Sequence, residues 1–238
     1  MNRLLMVCMT VLYTLTGCDE LTMPEPLNNG RENVLPMVQN QAIEQLTTYA
    51  EQGNRESVKQ LLDQGSDING QDSAGRTAVL AATHGRKADM VKFLIENGAN
   101  INIRDNRSDN VLLYSGAEGL LDIVQLALEA KADTRLTNRY GGTALIPASE
   151  RGHFEVVTEL LEHSDIQVNH INNLGWTALM EAVVLSDGGS KHQQIIRKLL
   201  EHGADPAIPD RDGITALQHA KARGYKEIKR ILLEAEAK

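Results

Sequence analysis

Few side chains of this 238-residue chain stand where bond-making chemistry would need them. It has seven histidines, two cysteines, 32 acidic and 24 basic side chains. His84, His153, His163, His170, His192, His202 and His219 keep no zinc-ligand spacing with Cys8 or Cys18, so no metal site is expected. Gly188-Gly189-Ser190-Lys191 has the residue types of a phosphate loop but neither its spacing nor a preceding strand. There is no Gly-x-Ser-x-Gly, no Ser and His in a recognisable frame and no legible acid dyad. The carboxylates read as a solvated acidic surface. The sequence predicts no enzyme and no cofactor. A net charge of −8, without a basic stripe, argues against nucleic acid as a partner.

One residue does carry chemistry. Leu4 to Leu15 is an apolar run broken only by Thr10 and Thr14, preceded by Arg3 and followed by Thr16-Gly17-Cys18. The run is too short to span a bilayer core of about 30 Å and has the size of a secretory core. Small residues before a Cys at its end resemble the bacterial lipoprotein signal. That resemblance implies cleavage before Cys18 and acylation of its thiol and new N-terminus, which would give a palmitate-type anchor. The alternatives are an ordinary signal peptide or a retained apolar anchor. Cys8 would leave with residues 1–17, so the mature chain would hold no free thiol. Loss of Arg3 would take the charge from −8 to −9. Asp19 resembles the signal that keeps enterobacterial lipoproteins in the inner membrane. An outer-membrane position facing the periplasm is the alternative. Residues 18–38, with Pro24, Pro26, Pro36 and Asn28-Asn29-Gly30, read as a flexible tether.

The elements that must position any binding surface are repeats. Gly75-x-Thr77-Ala-Val-x-x-Ala82, Gly141-x-Thr143-Ala-Leu-x-x-Ala148, Gly175-x-Thr177-Ala-Leu-x-x-Ala182 and Gly213-x-Thr215-Ala-Leu-x-x-Ala220 share one phrase. A weaker copy puts Asn110 in the Thr place, and a degenerate first copy puts Glu44 there. The spacings from Glu44 onward are 33, 33, 33, 34 and 38. A second apolar block follows in phase, as in Val91-Lys-Phe-Leu94-Ile95, often closed by Gly as at Gly65, Gly98 and Gly203. These phrases resemble the ankyrin repeat. The resemblance implies an all-α solenoid of helix-turn-helix units with hairpin-like tips over residues 39–238, in six repeats: 39–72, 73–105, 106–138, 139–172, 173–210 and 211–238. Each Thr hydroxyl should cap the first helix of its repeat. Ala82, Ala148, Ala182 and Ala220 should let neighbouring helices approach closely.

Three departures stand out. Pro147 falls inside a predicted helix, where it should remove one early hydrogen bond. An extra residue falls near Ser164–Val168. Five more lie in 185–192, where Gly and Ser pairs predict a mobile surface loop, with contact to a partner as the alternative.

Ankyrin stacks present a concave wall of tips and first-helix residues, and the resemblance places a protein partner there. The candidate positions are Arg76, Arg107, Asp109, Glu118, Arg139, Tyr140, Glu150, Arg151, Asn173, Leu174 and Trp176. Trp176, the only Trp, falls at an outward tip place. Partner contact is its first reading, and packing on a neighbouring tip or under the 185–192 loop is the second. The implied function is a monomeric, membrane-tethered interaction module of the bacterial envelope. An inhibitor or immunity protein for a toxin is one version. A scaffold or accessory factor for an exported or stress-defence enzyme is the other.

Overall fold

The computed structural model describes residues 34–237. The predicted signal, Cys18, Asp19 and the tether up to residue 33 lie outside the described residues. Six antiparallel helix pairs follow one another: α1 (Val34–Gln52) with α2 (Arg55–Asp63), α3 (Ala78–His84) with α4 (Ala88–Glu96), and α5 (Val111–Glu118) with α6 (Leu121–Glu129). Then come α7 (Leu145–Glu150) with α8 (Phe154–His163), α9 (Ala178–Val184) with α10 (Ser190–Glu201), and α11 (Ala216–Ala222) with α12 (Lys226–Glu236). First helices pack on first helices from α1 to α11. Second helices pack likewise from α4 to α12. There is no strand among the described residues, and no described helix is long and apolar enough to cross a membrane. The first helix begins at Val34, ahead of the expected 39. Pro36 lies in its first turn, where an amide would have no intrahelical partner anyway.

The repeated phrase explains this regularity. Ala82, Ala148, Ala182, Ala220 and Ser115 are completely buried between first helices. A larger side chain there would hold neighbouring turns apart. Val58, Val91, Val124, Val157 and Ile196 sit at the equivalent inner place of the second helices, with no exposed surface. They join one core that runs through the whole stack. The terminal repeat turns Lys229 outward and, of the two, keeps only the neighbouring Ile228 buried, which suits an end that meets water on one side. Four second helices, α2, α4, α6 and α10, end with a residue in the left-handed region: Gly65, Gly98, Lys131 and Gly203. Gly98, at φ 90°, lets the Gly98 and Ala99 amides donate to Ile95 O and Leu94 O.

Thr77, Asn110, Thr177 and Thr215 cap their helices as predicted, each accepting from the amide three residues on. Thr143 does not. In its sister repeats the residue four after the cap donates to the cap carbonyl, as Ala81 does to Thr77 and Glu181 to Thr177. The donor in that place is Pro147, which has no N–H. The Ile146 amide takes the Thr143 carbonyl instead, at 3.2 Å, and α7 starts one residue late. Having lost its donor, the Thr143 hydroxyl is buried without a hydrogen-bond partner.

The stretch 185–192 also departs from expectation. Ser190 to His192 form the first turn of α10, so only Leu185 to Gly189 connect the helices. That connection is pinned rather than loose. The Tyr225 hydroxyl donates to Ser186 O at 2.7 Å, and the Gly188 and Gly189 amides donate to Ser186 Oγ and Asp187 Oδ1. A side chain at Gly188 would strike the Tyr225 ring 2.7 Å away. Polar side chains inside the insertion satisfy its own backbone, which a reading of Gly and Ser as flexible overlooks.

Candidate functional site

Each tip is built by a residue five places before the cap. The side-chain oxygen of Asp72, Asp105, Asn138, Asn172 and Asp210 accepts two amides of its own tip. For Asn138 these are Tyr140 N at 2.9 Å and Gly142 N at 3.1 Å. Two backbone bonds close each tip, as Asn138 N donates to Gly142 O and Gly141 N to Asn138 O. Two pairs of tips are bonded backbone to backbone, Asn106 N to Ala74 O and Asn173 N to Tyr140 O, and the Arg211 side chain donates to Asn173 O across a third. Gly141 allows the second of these, because its φ is 74° and a Cβ there would lie 2.4 Å from Asn173 Oδ1.

A cavity of about 370 Å³ opens on the concave side at the third to fifth repeats. It exists because of what is missing. The place before each cap holds Arg76, Asp109, Trp176 and Ile214 elsewhere, but Gly142 in the fourth repeat. Its floor is made by Tyr114, Ile146, Pro147, Glu150 and Glu181, and its rim by tips and helix ends. Three rim side chains are large, apolar and exposed: Tyr140 (54%), Leu174 (52%) and Leu185 (48%).

Of the residues proposed from sequence, Arg107, Asp109, Glu118, Arg139, Tyr140, Glu150, Arg151 and Leu174 all line this cavity. Arg139 lies over the Tyr140 ring, 4.7 Å from its centroid, and donates to its hydroxyl at 2.8 Å. Arg151 donates to Glu118 at 2.7 Å and to Ala117 O at 2.8 Å, and Arg86 meets the other Glu118 oxygen at 3.2 Å. Arg107 approaches Asp109 at 4.0 Å. Burial, and then the neighbouring Asp105 carboxylate, push the Asp109 carboxyl up.

The other three expected residues stand elsewhere. Arg76 is held by Asp72 at 2.9 Å and Glu51 at 3.1 Å, away from the cavity. Asn173 is spent on tip-to-tip bonding. Trp176, expected to face outward, is partly buried and packs against the core. Its tip amide is tied to Asn172 Oδ1 at 3.0 Å. Packing against the core leaves part of its surface exposed.

Sequence reasoning missed Glu181, Leu185 and Tyr114. Glu181 is only 5% exposed, and its Oε1 accepts from Asn172 Nδ2 at 2.7 Å. Burial, reinforced by the Glu150 carboxylate, raises its pKa to about 7. No common residue marks its place, four after the cap, where other repeats have Ala81, Tyr114, Pro147 and His219. Among the described residues no group of three or more His, Cys, Asp or Glu is placed to hold a metal ion. His153 and His192 bond instead to backbone carbonyls of Ala117 and Glu150, linking adjacent repeats.

A family model of ankyrin repeats matches residues 46–138 and 112–210. The crystal structure of an ankyrin repeat domain from Acinetobacter baumannii AYE superposes with a TM-score of 0.77 at 48% identity, covering 80% of this chain and 97% of that one. The Escherichia coli K12 ankyrin repeat protein YahD is 51% identical over 85 residues, 36% of this chain. The alignment spans 42% of YahD, well under two thirds of its length. The ankyrin repeat domain of Bcl-3, a member of the IκB family, shares the fold at 22% identity and a TM-score of 0.72.

Proposed function

From the chain's membership of the ankyrin-repeat family, we propose that it is a protein-binding module of the bacterial envelope, tethered by acylated Cys18, that grips its partner at the concave cavity of repeats three to five. The observation that carries this reading is the exposed trio Tyr140, Leu174 and Leu185 around one cavity, with Arg139 stacked beside them. Interface energy concentrates in aromatic and Arg side chains set in pockets, and this is where the concave wall offers them. The repeats serve interaction, and the reading assigns the protein no reaction of its own. The motif at Leu15–Cys18 supports the tether, and Asp19 favours the inner membrane over the outer. The partner would be a toxin that the protein inhibits, or an exported enzyme that it supports as a scaffold.

A photo-crosslinking residue placed at Tyr140 in intact cells tests the face, with one at Gln125, exposed on a second helix, as control. A discrete adduct at Tyr140 and none at Gln125 is expected. Equal labelling at both positions sinks the reading. Activity of the adducted partner then separates the two roles, since inhibition lowers it and scaffolding sustains it. Labelling with radioactive palmitate should mark the wild type and not Cys18→Ser.

A further inference from the structure

We propose that the cavity receives one basic side chain, lysine or arginine, carried on an apolar-flanked segment of the partner and held by the Glu150 and Glu181 carboxylates. This inference rests on the protein-binding reading above and names the chemistry of what is bound.

Charge is the first argument. The rim arginines have partners within the fold: Arg151 the Glu118 carboxylate, Arg139 the neutral Tyr140 side chain, and Arg107 the Asp109 carboxylate at 4.0 Å. The floor carboxylates differ. Glu181 accepts a hydrogen bond at one oxygen only, from the neutral amide of Asn172, and neither it nor Glu150 forms an ion pair among the described residues. A buried carboxylate without a cation is costly to a fold. A glutamine would satisfy Asn172 equally well, so the charge has no structural use. Groups poised in this way in a cleft mark sites that await a ligand. Glu181 is more than nine-tenths buried and borders the cavity, so its free oxygen is the natural acceptor for an incoming donor.

Shape is the second argument. About 370 Å³ suits one long side chain entering between the tips. Tyr140, Leu174 and Leu185 surround the entrance and can cover apolar residues on either side of the basic one. A bare metal ion is a poorer fit, because two carboxylates and an amide offer fewer donors than a dedicated cation site.

A bound cation favours ionised Glu181, so binding should strengthen as pH rises. The ionisable groups on the elements packed against α9 are Glu150 and Arg151 from α7 and its end, Lys191, His192, Arg197, Lys198 and Glu201 from α10, and His219 and Lys221 from α11. His192 is bonded to Glu150 O and His219 to Asp210. Glu150 is the one that raises Glu181 further.

Calorimetry with the full-length protein and acetyl-Leu-Arg-Leu-amide tests this, with norleucine and glutamate replacing arginine as controls. The peptide has no group titrating between pH 6 and 8. With Glu181 at about 7, its ionised fraction rises from about a tenth at pH 6 to about nine-tenths at pH 8, so affinity should rise about tenfold. Glu181→Gln should abolish that rise, and Glu150→Gln should weaken binding at both pH values. The inference is overturned if the norleucine or glutamate peptide binds as well, if the arginine peptide does not bind, or if Glu181→Gln keeps the pH dependence. A Tyr140 crosslink that persists while the arginine peptide shows no preference defeats this inference and leaves the binding module standing. Loss of the crosslink defeats both.

Discussion

Replacing Glu181 by Gln should stabilise the protein at neutral pH and leave it unchanged in acid. In the unfolded chain this carboxyl has its ordinary value of 4.5, and in the folded chain about 7. Between those values the folded state keeps a proton that the unfolded state has lost. Stability therefore falls as pH rises through this window and levels off above about 7. Each pKa unit is worth about 1.4 kcal/mol, so the rise from 4.5 to about 7 sets an upper figure of about 3 kcal/mol, with about 2 kcal/mol expected once the cavity's water is allowed for. Gln keeps an oxygen for Asn172 Nδ2 and cannot ionise. Urea unfolding of wild type and variant at pH 5, 6, 7 and 8 reads the effect. The two midpoints should lie closest at pH 5, diverge up to about pH 7 and then run parallel to pH 8, the variant ahead. A constant difference at every pH would refute the argument, because it would mean that packing, not ionisation, separates the two proteins.

Pro147→Ala should return the missing amide to the Thr143 carbonyl and free Ile146 N for the Thr143 hydroxyl, raising stability by about 1–2 kcal/mol in the same assay. No gain would show that the first turn of α7 is set by something else. Gly142→Leu should fill the cavity without unfolding the chain, since a Cβ there meets nothing closer than 3.5 Å; its melting should match wild type while the Tyr140 crosslink is lost. Trp176→Ala should cost about 2 kcal/mol and leave the crosslink in place; unchanged melting with loss of the adduct would restore the outward reading of that residue. Ala182→Leu should overpack the join between α7, α9 and α11 by about 1–3 kcal/mol.

What recurs in the sequence was readable from it. The Thr, Ala and Val places repeat in phase, and the structure puts them at caps, between first helices and in the second-helix core. Thr143 shows where that reading stops, because its cap depended on a backbone donor four residues away that Pro147 removes. Trp176 packs partly against the core, although its tip place predicts an outward side chain. A tip place names a backbone position, and the bulk of an indole then decides which way it leans. The cavity itself was illegible, since it follows from an absent side chain at Gly142 between two occupied neighbours. Glu181 shared its position with Ala81, Tyr114, Pro147 and His219, so no pattern separated it from the many surface acids until burial was known.

The Asx oxygens that fold each tip have a wider consequence. A single carboxylate or amide, two closing backbone bonds and one left-handed residue hold the turn, and of the two side chains between them the second, as at Tyr140 and Leu174, bears little of that burden. Residues such as Tyr140 or Leu174 can therefore be exchanged for others without asking the rest of the chain to compensate. Under the proposed binding role, a change of client would need only a few substitutions along one edge.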